Sequence, residues 1–379
     1  MPTTGIDYTA AYEQGAGIGR YVRELIRALA AQDDQTAYRL FVAGATPKTL
    51  PPLPGPNFAW RPTRITPLWF ARFWFRLQLP LPVETFVGRV QLYHATDFAL
   101  PPVLPGVRTL LTVHDLSFVR APETTTPVLK AYLDKVVPRS VQRAAHVLAD
   151  SQATKDDLID LYGTSPEKIT VLLGGVQPEF VPVTDMNARS AVRQRYDLPG
   201  NPYIFSIGTV QPRKNYARLM AALAALGPAC QDVHLVIAGG RGWLDGPIYQ
   251  AVRGLGLAER VHFIGFARDE DLPALYSDAV CLAYPSLYEG IGLPVLEAMA
   301  CGTPVVTSTI SSMPEVAGNA ALLVDPYDVD ALVEALRRLL ADNTLRTDLI
   351  ARGFVQAKYF TWERAAQQLR DIYRRMLDG

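Results

Sequence analysis

Short apolar runs alternate with amphipathic stretches along the whole chain, and that alternation predicts parallel sheets covered by helices. In the first half the strand-like runs are GIDYT, YRLFVAG, QLYHA, TLLTVHD, HVLAD and KITVLLG. Helical periodicity falls at 18–31 and 153–162. In the second half the runs are YIFSIGT, VHLVIAGG, VHFIGF, AVCLAYPS, TPVVTS and AALLVD, with helices at 216–226 and 293–300 among those between them. Around 178–202 the pattern lapses into polar, proline-bearing sequence, which predicts an interdomain linker. The tail TWERAAQQLRDIYRRM, from Thr361, predicts a last amphipathic helix capped by that threonine. The expected fold is therefore α/β, with a doubly wound parallel sheet in 1–180 and another in 200–360. Such sheets bind ligands beyond the carboxyl ends of their strands, so two of them face to face would make a cleft.

A chain of 379 residues suits two domains of ordinary size. Lys plus Arg and Asp plus Glu both number 37, so no basic excess marks a nucleic-acid partner, and none is expected. Cys230, Cys281 and Cys301 have no metal-ligand spacing and read as free thiols in a reducing compartment. The opening MPTTGIDYTAAYEQ lacks the charged start and apolar run of a signal peptide, and no apolar stretch is long enough to span a bilayer. A cytoplasmic location is expected.

The densest chemistry lies in PSLYEGIGLPVLEAMACGTPVV, residues 285–306, which reads strand, glycine loop, helix, strand. Pro294 suits the start of the helix. Glu289 then lies in the loop, and Glu297 about one turn inside the helix. Gly290 and Gly292 let backbone approach a ligand, and the helix start supplies free N–H groups and a positive dipole end for a phosphate. Carboxylates on either side can accept hydrogen bonds from sugar hydroxyls. One short element can thus hold a phosphate and two polyol groups, as a nucleotide-sugar presents them. The plain alternative is an acid that complements a helix dipole.

SIGTVQPRKN, residues 206–215, ends another strand and places Arg213 and Lys214 in the loop beyond Gly208. Two adjacent cations suit a diphosphate, which they would stabilise as a leaving group. A solvated pair at a helix start is the alternative, and it opposes the dipole. His114 and Asp115 fall just past the run LLTV; the imidazole could bond a sugar hydroxyl or a phosphate, and Asp115 could orient it or bind acceptor hydroxyls. Gly15, Gly17 and Gly19 open a helix without the dinucleotide spacing, as a backbone cradle for phosphate or sugar, or as a tight turn. The Asp-x-Asp matches at 269–271 and 328–330 precede helical patterns and read as helix-start acids, so no metal is expected. Residues 58–83 hold Arg61, Arg64, Arg72 and Arg76 with the aromatics Trp60, Trp69, Phe70, Phe73, Trp74 and Phe75 among them, and no acid. Two readings of that segment stand: a helix whose aromatics pack on the core, or peripheral contact with a membrane surface.

In its order of motifs the chain resembles glycosyltransferase family 4, the retaining glycosyltransferases with the GT-B fold of two Rossmann-like domains. The resemblance runs over nearly the whole chain. It is carried by the Glu-x7-Glu element with EAMACGTPVV and PEVAGNAALLVDP, by RKN, and in support by HD, ADSQATKDDL and FTWERAA. It implies that Glu289 contacts donor-sugar hydroxyls and Glu297 the ribose diol. It implies that the backbone from Gly290 through Ile291 and Gly292 to Leu293 meets diphosphate and sugar, that Arg213 and Lys214 bind the diphosphate beside Gly208, and that His114 sits by the donor sugar. Gly17 would shape the floor between donor and acceptor, and the last helix, 361–379, would cross back onto the first domain. At 172–176 the chain has LLGGV where the family often carries an Asn-Gly pair, so Gly174 receives no role.

The resemblance implies a hexosyltransferase that uses a nucleotide-diphosphate sugar and no cofactor, with a glycan or lipid-linked acceptor. GTVQPRKN and ISSMPEVAG resemble members that build bacterial surface polysaccharide, many of them mannosyltransferases, which favours GDP-mannose. No carboxylate is placed as a covalent nucleophile, so departure and attack on one face of the sugar is the expected course. Two other readings stay open: a sugar-nucleotide epimerase of the same fold, and a non-catalytic sugar-nucleotide-binding protein.

Overall fold

The computed structural model describes residues 1–15 and 17–378. It contains two compact units. The first comprises residues 1–116, 131–175 and the chain from 362 onward; the second comprises 117–130 and 176–361. Relative to a division at 180 and 200, segment 117–130 groups with the second unit, where the Trp243 indole donates to the Thr124 carbonyl at 2.7 Å.

The first unit is built on a seven-stranded sheet: β1 (Thr3–Asp7), β2 (Ala37–Ala43), β3 (Phe58–Thr63), β4 (Leu92–Ala95), β5 (Arg108–Val113), β6 (His146–Ala149) and β7 (Ile169–Val171). The order is β3-β2-β1-β4-β5-β6-β7, with every pair parallel. The second unit has six strands: β8 (Tyr203–Ile207), β9 (His234–Ala238), β10 (Val261–Gly265), β11 (Cys281–Tyr284), β12 (Val305–Ser308) and β13 (Leu322–Val324). Their order is β10-β9-β8-β11-β12-β13, again all parallel. Helices on both faces explain why β4, β11 and β12 are buried along their whole length. In each sheet the winding reverses beside the first strand, between β1 and β4 and between β8 and β11. The loops that follow those strands are where such a sheet accepts ligands.

Two expectations need correction. Residues 178–202 are not a bare linker: they carry the helix Met186–Arg195, capped by Asp185 and held by ion pairs from Arg193 to Asp278 and from Arg195 to Asp271. Its sequence is polar almost throughout and buries Val192 alone, so no apolar stripe announces it. Residues 58–83 are not one helix either. They begin as β3, an edge strand that tolerates Pro62, and continue as the short helix Pro67–Phe70 and a π-helical turn, Ala71–Arg76. Phe70 and Trp74 stack at 4.3 Å and pack with Phe41 and Phe86 in the core. Leu68, Trp69, Leu77 and Leu79 are exposed beside Arg72 and Arg76. Among the described residues no helix is long and apolar enough to cross a membrane.

The helix Trp362–Asp378 belongs to the first unit and buries Trp362, Leu369, Ile372 and Tyr373. Tyr373 reaches His94 on β4: its hydroxyl lies 2.7 Å from Nδ1, while Nε2 lies 2.8 Å from Thr112 Oγ1. Burial pulls the His94 pKa down to about 3, so this imidazole is neutral and its two nitrogens depend on those hydroxyls. Tyr373→Phe leaves Nδ1 unpaired in the core and should lower stability by ~1–3 kcal/mol in urea unfolding. An unchanged unfolding midpoint would show that the hydroxyl does not hold the last helix.

Candidate functional site

Beyond β8 the backbone turns at Gly208, whose φ of +141° suits glycine. A Cβ there would lie 2.6 Å from Lys214 Cε, so the missing side chain leaves room for the lysine stem. The turn Pro212–Lys214 follows and ends at Asn215 in the left-handed region. The Asn215 amide donates to the carbonyls of Pro285 at 3.0 Å and Pro326 at 2.7 Å, which ties this loop to those after β11 and β13. Arg213 and Lys214 are thereby aimed across the switch point.

Both meet Glu289 in the loop after β11. Arg213 Nη1 donates to Glu289 Oε2 at 2.8 Å and to the Tyr288 carbonyl at 2.7 Å. Lys214 Nζ donates to Glu289 Oε1 at 2.7 Å and to the Tyr284 hydroxyl, and lies 4.6 Å above the Tyr284 ring. The loop after β12 braces the same turn: Glu289 N donates to Ser311 Oγ at 3.1 Å, and Ser312 Oγ donates to the Glu289 carbonyl at 3.0 Å. Burial alone would push the Glu289 carboxyl up, but Arg213 and Lys214 overcome it and hold the pKa at about 2. The carboxylate is ionised at neutral pH, and two cations against one acid leave the cluster with an excess positive charge.

Gly290 and Ile291 are buried, and Gly292, at φ +74°, caps the helix Leu293–Ala300. The positive φ favours glycine there, and a Cβ would also lie 2.3 Å from Met313 Cε, so that this flexible side chain would have to move. The first N–H groups of that helix have no carbonyl four residues earlier within it. Glu297, one turn in, is buried and accepts from the Tyr276 hydroxyl at 2.8 Å. Gly208, Arg213, Lys214, Glu289, Gly290, Ile291, Gly292, Leu293 and Glu297 thus gather at the carboxyl end of one sheet. The Asp-x-Asp matches lie elsewhere: Asp328 caps a helix by accepting from Ala331 N, and Asp271 bonds Arg195 and Tyr196.

The other predicted residues lie in the first unit. His114 follows β5 and is buried, with Nδ1 2.7 Å from Asp150 Oδ2 and Nε2 2.8 Å from the Thr96 carbonyl. Tyr21 and Phe98 meet its ring edge-on at 5.3 and 5.6 Å. Asp150 orients the imidazole, and Asp115, expected in that role, is half-buried at the next position along the chain. Asp150 was missed because the adjacency of β5 and β6, which brings the two loops together, is a property of the sheet order. Its signal is the acid at the end of HVLAD, at the same carboxyl end as His114. Gly17 caps the helix Ile18–Ala30 at φ +59° and is exposed. Gly19 lies in the first turn of that helix, where a Cβ would come within 2.3 Å of the Gln14 carbonyl oxygen.

Two doubly wound parallel sheets, each with its chemistry at the switch point, define the GT-B class of glycosyltransferases. The chain belongs to glycosyltransferase family 4: that family's model matches residues 15–180, and the model for Glycosyl transferases group 1 matches residues 189–356. It is 32% identical to O-antigen chain mannosyltransferase B of Escherichia coli, over 94% of this chain and 96% of that one. It is 35% identical to a D-inositol 3-phosphate glycosyltransferase of Salinispora tropica, over 71% of this chain and 59% of that one. Among solved structures, sucrose-phosphate synthase of Thermosynechococcus elongatus matches all of both chains with a TM-score of 0.79 at 23% identity.

The paired cations yield a pH prediction. The folded pKa of Glu289 lies below its unfolded value, near the usual 4.5, so its stabilisation is present above that pH and is lost as pH falls toward about 2. Glu289→Gln should cost on the order of 3 kcal/mol at pH 7, and the gap in melting temperature from wild type should close between pH 4.5 and 2. A gap that stays constant over that range would contradict the triad.

Proposed function

We propose that the protein is a retaining hexosyltransferase that moves mannose from a nucleotide-diphosphate sugar, GDP-mannose in first place, to a glycan or lipid-linked acceptor. The observation that carries this is the convergence of Arg213 and Lys214 on Glu289 beside a glycine-capped helix start. Mannose is favoured because a relative matched over 96% of its length is a mannosyltransferase.

In this reading the diphosphate lies against Arg213, Lys214 and the backbone of 290–293. The guanidinium serves as a fork and the ammonium as a point charge, already fixed before donor arrives. Charge that develops on the leaving diphosphate is met by groups that need not reorganise. The two side-chain cations can supply that charge, and we propose that no metal or cofactor is required. Glu289 accepts from donor-sugar hydroxyls through lone pairs left over from the cations, and Glu297 accepts from the ribose diol. His114 meets the donor sugar, Gly17 shapes the floor beside it, and Asp115 binds acceptor hydroxyls. With no carboxylate assigned as nucleophile, the acceptor attacks the face the diphosphate leaves, and positioning supplies much of the rate.

Lys214→Ala and Glu289→Ala should each reduce turnover by at least ~10²-fold while circular dichroism stays native. Wild-type rates in either folded variant would refute the assignment. Donor specificity follows from a thermal-shift panel of nucleotide sugars, with GDP-mannose expected to raise the melting temperature most. Donor incubated without acceptor and followed by NMR should remain unchanged; a rearranged sugar nucleotide would indicate isomerisation instead.

We also propose that the protein works at the cytoplasmic face of a membrane, which it meets through the exposed Leu68, Trp69, Leu77 and Leu79 and the neighbouring arginines. It should co-sediment with anionic liposomes at low salt and be released at high salt. Failure to co-sediment at low salt removes the idea.

A further inference from the structure

Both ring nitrogens of His114 face hydrogen-bond acceptors. Nε2 points at the Thr96 carbonyl, which can only accept, so Nε2 carries a proton. Nδ1 points at Asp150 Oδ2, and that 2.7 Å line holds a second proton. A neutral imidazole with Asp150 ionised would set a ring lone pair against one of the two oxygens.

The surroundings favour the same state. Asp97, after β4, adds negative potential at the ring; burial and Asp115 raise the Asp150 carboxyl, and His114 draws it back toward its ionised form. His94 on β4 is neutral and has its own partners; the Tyr21 hydroxyl donates to the Leu172 carbonyl at 2.9 Å and also faces Asp150, whose ionised form it favours. Burial opposes the charge on His114, but Asp150, first by its field and then by its hydrogen bond, raises the pKa to about 9.

We propose that Asp150 is a positioning residue that keeps His114 doubly protonated, so that the ring meets the donor as a hydrogen-bond donor and never as a general base. This rests on the reading that His114 lies at the donor sugar. In that state the ring has no lone pair with which to remove the acceptor's proton. Its Nε2–H, resting on Thr96, can be offered to a sugar hydroxyl or a phosphate oxygen. The ring also adds fixed positive charge at an edge that is otherwise acidic.

The proton can be read directly by 15N NMR of histidine-labelled protein, with the His114 resonances assigned by their loss in His114→Gln. In wild type the ring should stay doubly protonated up to about pH 9. In Asp150→Asn the midpoint should fall below the ordinary histidine value of about 6.5, because burial then dominates. The kcat/KM of wild type should hold through neutral pH and decline above about 9, and in Asp150→Asn the decline should move into the neutral range. A ring that is neutral at pH 7.5 in wild type, or a rate that rises as the ring loses its proton, would overturn the proposal. The titration itself is read on wild-type protein and needs no activity. Absence of transfer with every donor would therefore overturn the glycosyl-transfer reading, while the NMR result would stand apart from it.

Discussion

A buried carboxylate shared by two cations is the interaction on which the loops at the carboxyl end of the second sheet depend. Glu289 could not be ionised in the interior without Arg213 and Lys214, and the two cations could not lie side by side without an acid between them. The triad also joins two loops that are distant in sequence. One follows β8, the other follows β11, and the residues in contact are some 75 positions apart. Breaking one partner leaves an uncompensated charge, which costs more than the pair gains. The same geometry that stabilises the loops therefore fixes the positions of the charges.

The sheet order makes this economical. β8 and β11 are neighbours, so the loops beyond their carboxyl ends meet without further chain. Serines of the loop after β12 and the carboxamide of Asn215 satisfy the backbone groups that such irregular loops would otherwise bury unpaired. At Gly208 and Gly292 a Cβ would meet the Lys214 and Met313 side chains, and at Gly239 the backbone oxygen of Gly208. The turn chemistry and the charge chemistry are thus the same few residues.

Much of this was legible in one dimension. Twelve of the thirteen strands among the described residues coincide with the strand-like runs of the sequence, and those buried on both faces, such as β4, β11 and β12, had to be largely apolar along their length. The exception, β3, lies at the sheet edge and reads FAWRPT, where arginine and proline hide it. The helix Met186–Arg195 escaped notice because ion pairs, not an apolar stripe, attach it. In the site, Arg213, Lys214 and Glu289 were visible as loop residues after strands. Their mutual contact was not, and neither was that of His114 with Asp150. Both contacts depend on which strands lie adjacent, and order along the chain does not state that. Segment 58–83 was legible only as a choice, and the structure divides it: Phe70 and Trp74 turn inward, while Leu68, Trp69, Leu77 and Leu79 stay exposed.

The two units differ in electrostatic character at equivalent places. At the carboxyl end of the second sheet the ion cluster keeps an excess of positive charge. At the same end of the first sheet stand Asp7, Asp97, Asp115 and Asp150, and burial pushes the Asp7 pKa up to about 6. An edge with that many carboxyls disfavours an anion and suits neutral hydroxyls, which carboxylates accept from well. The histidine in the acidic edge is drawn to its charged form by the same field, so the state of His114 follows from the company of acids around it rather than from its own burial, which works the other way.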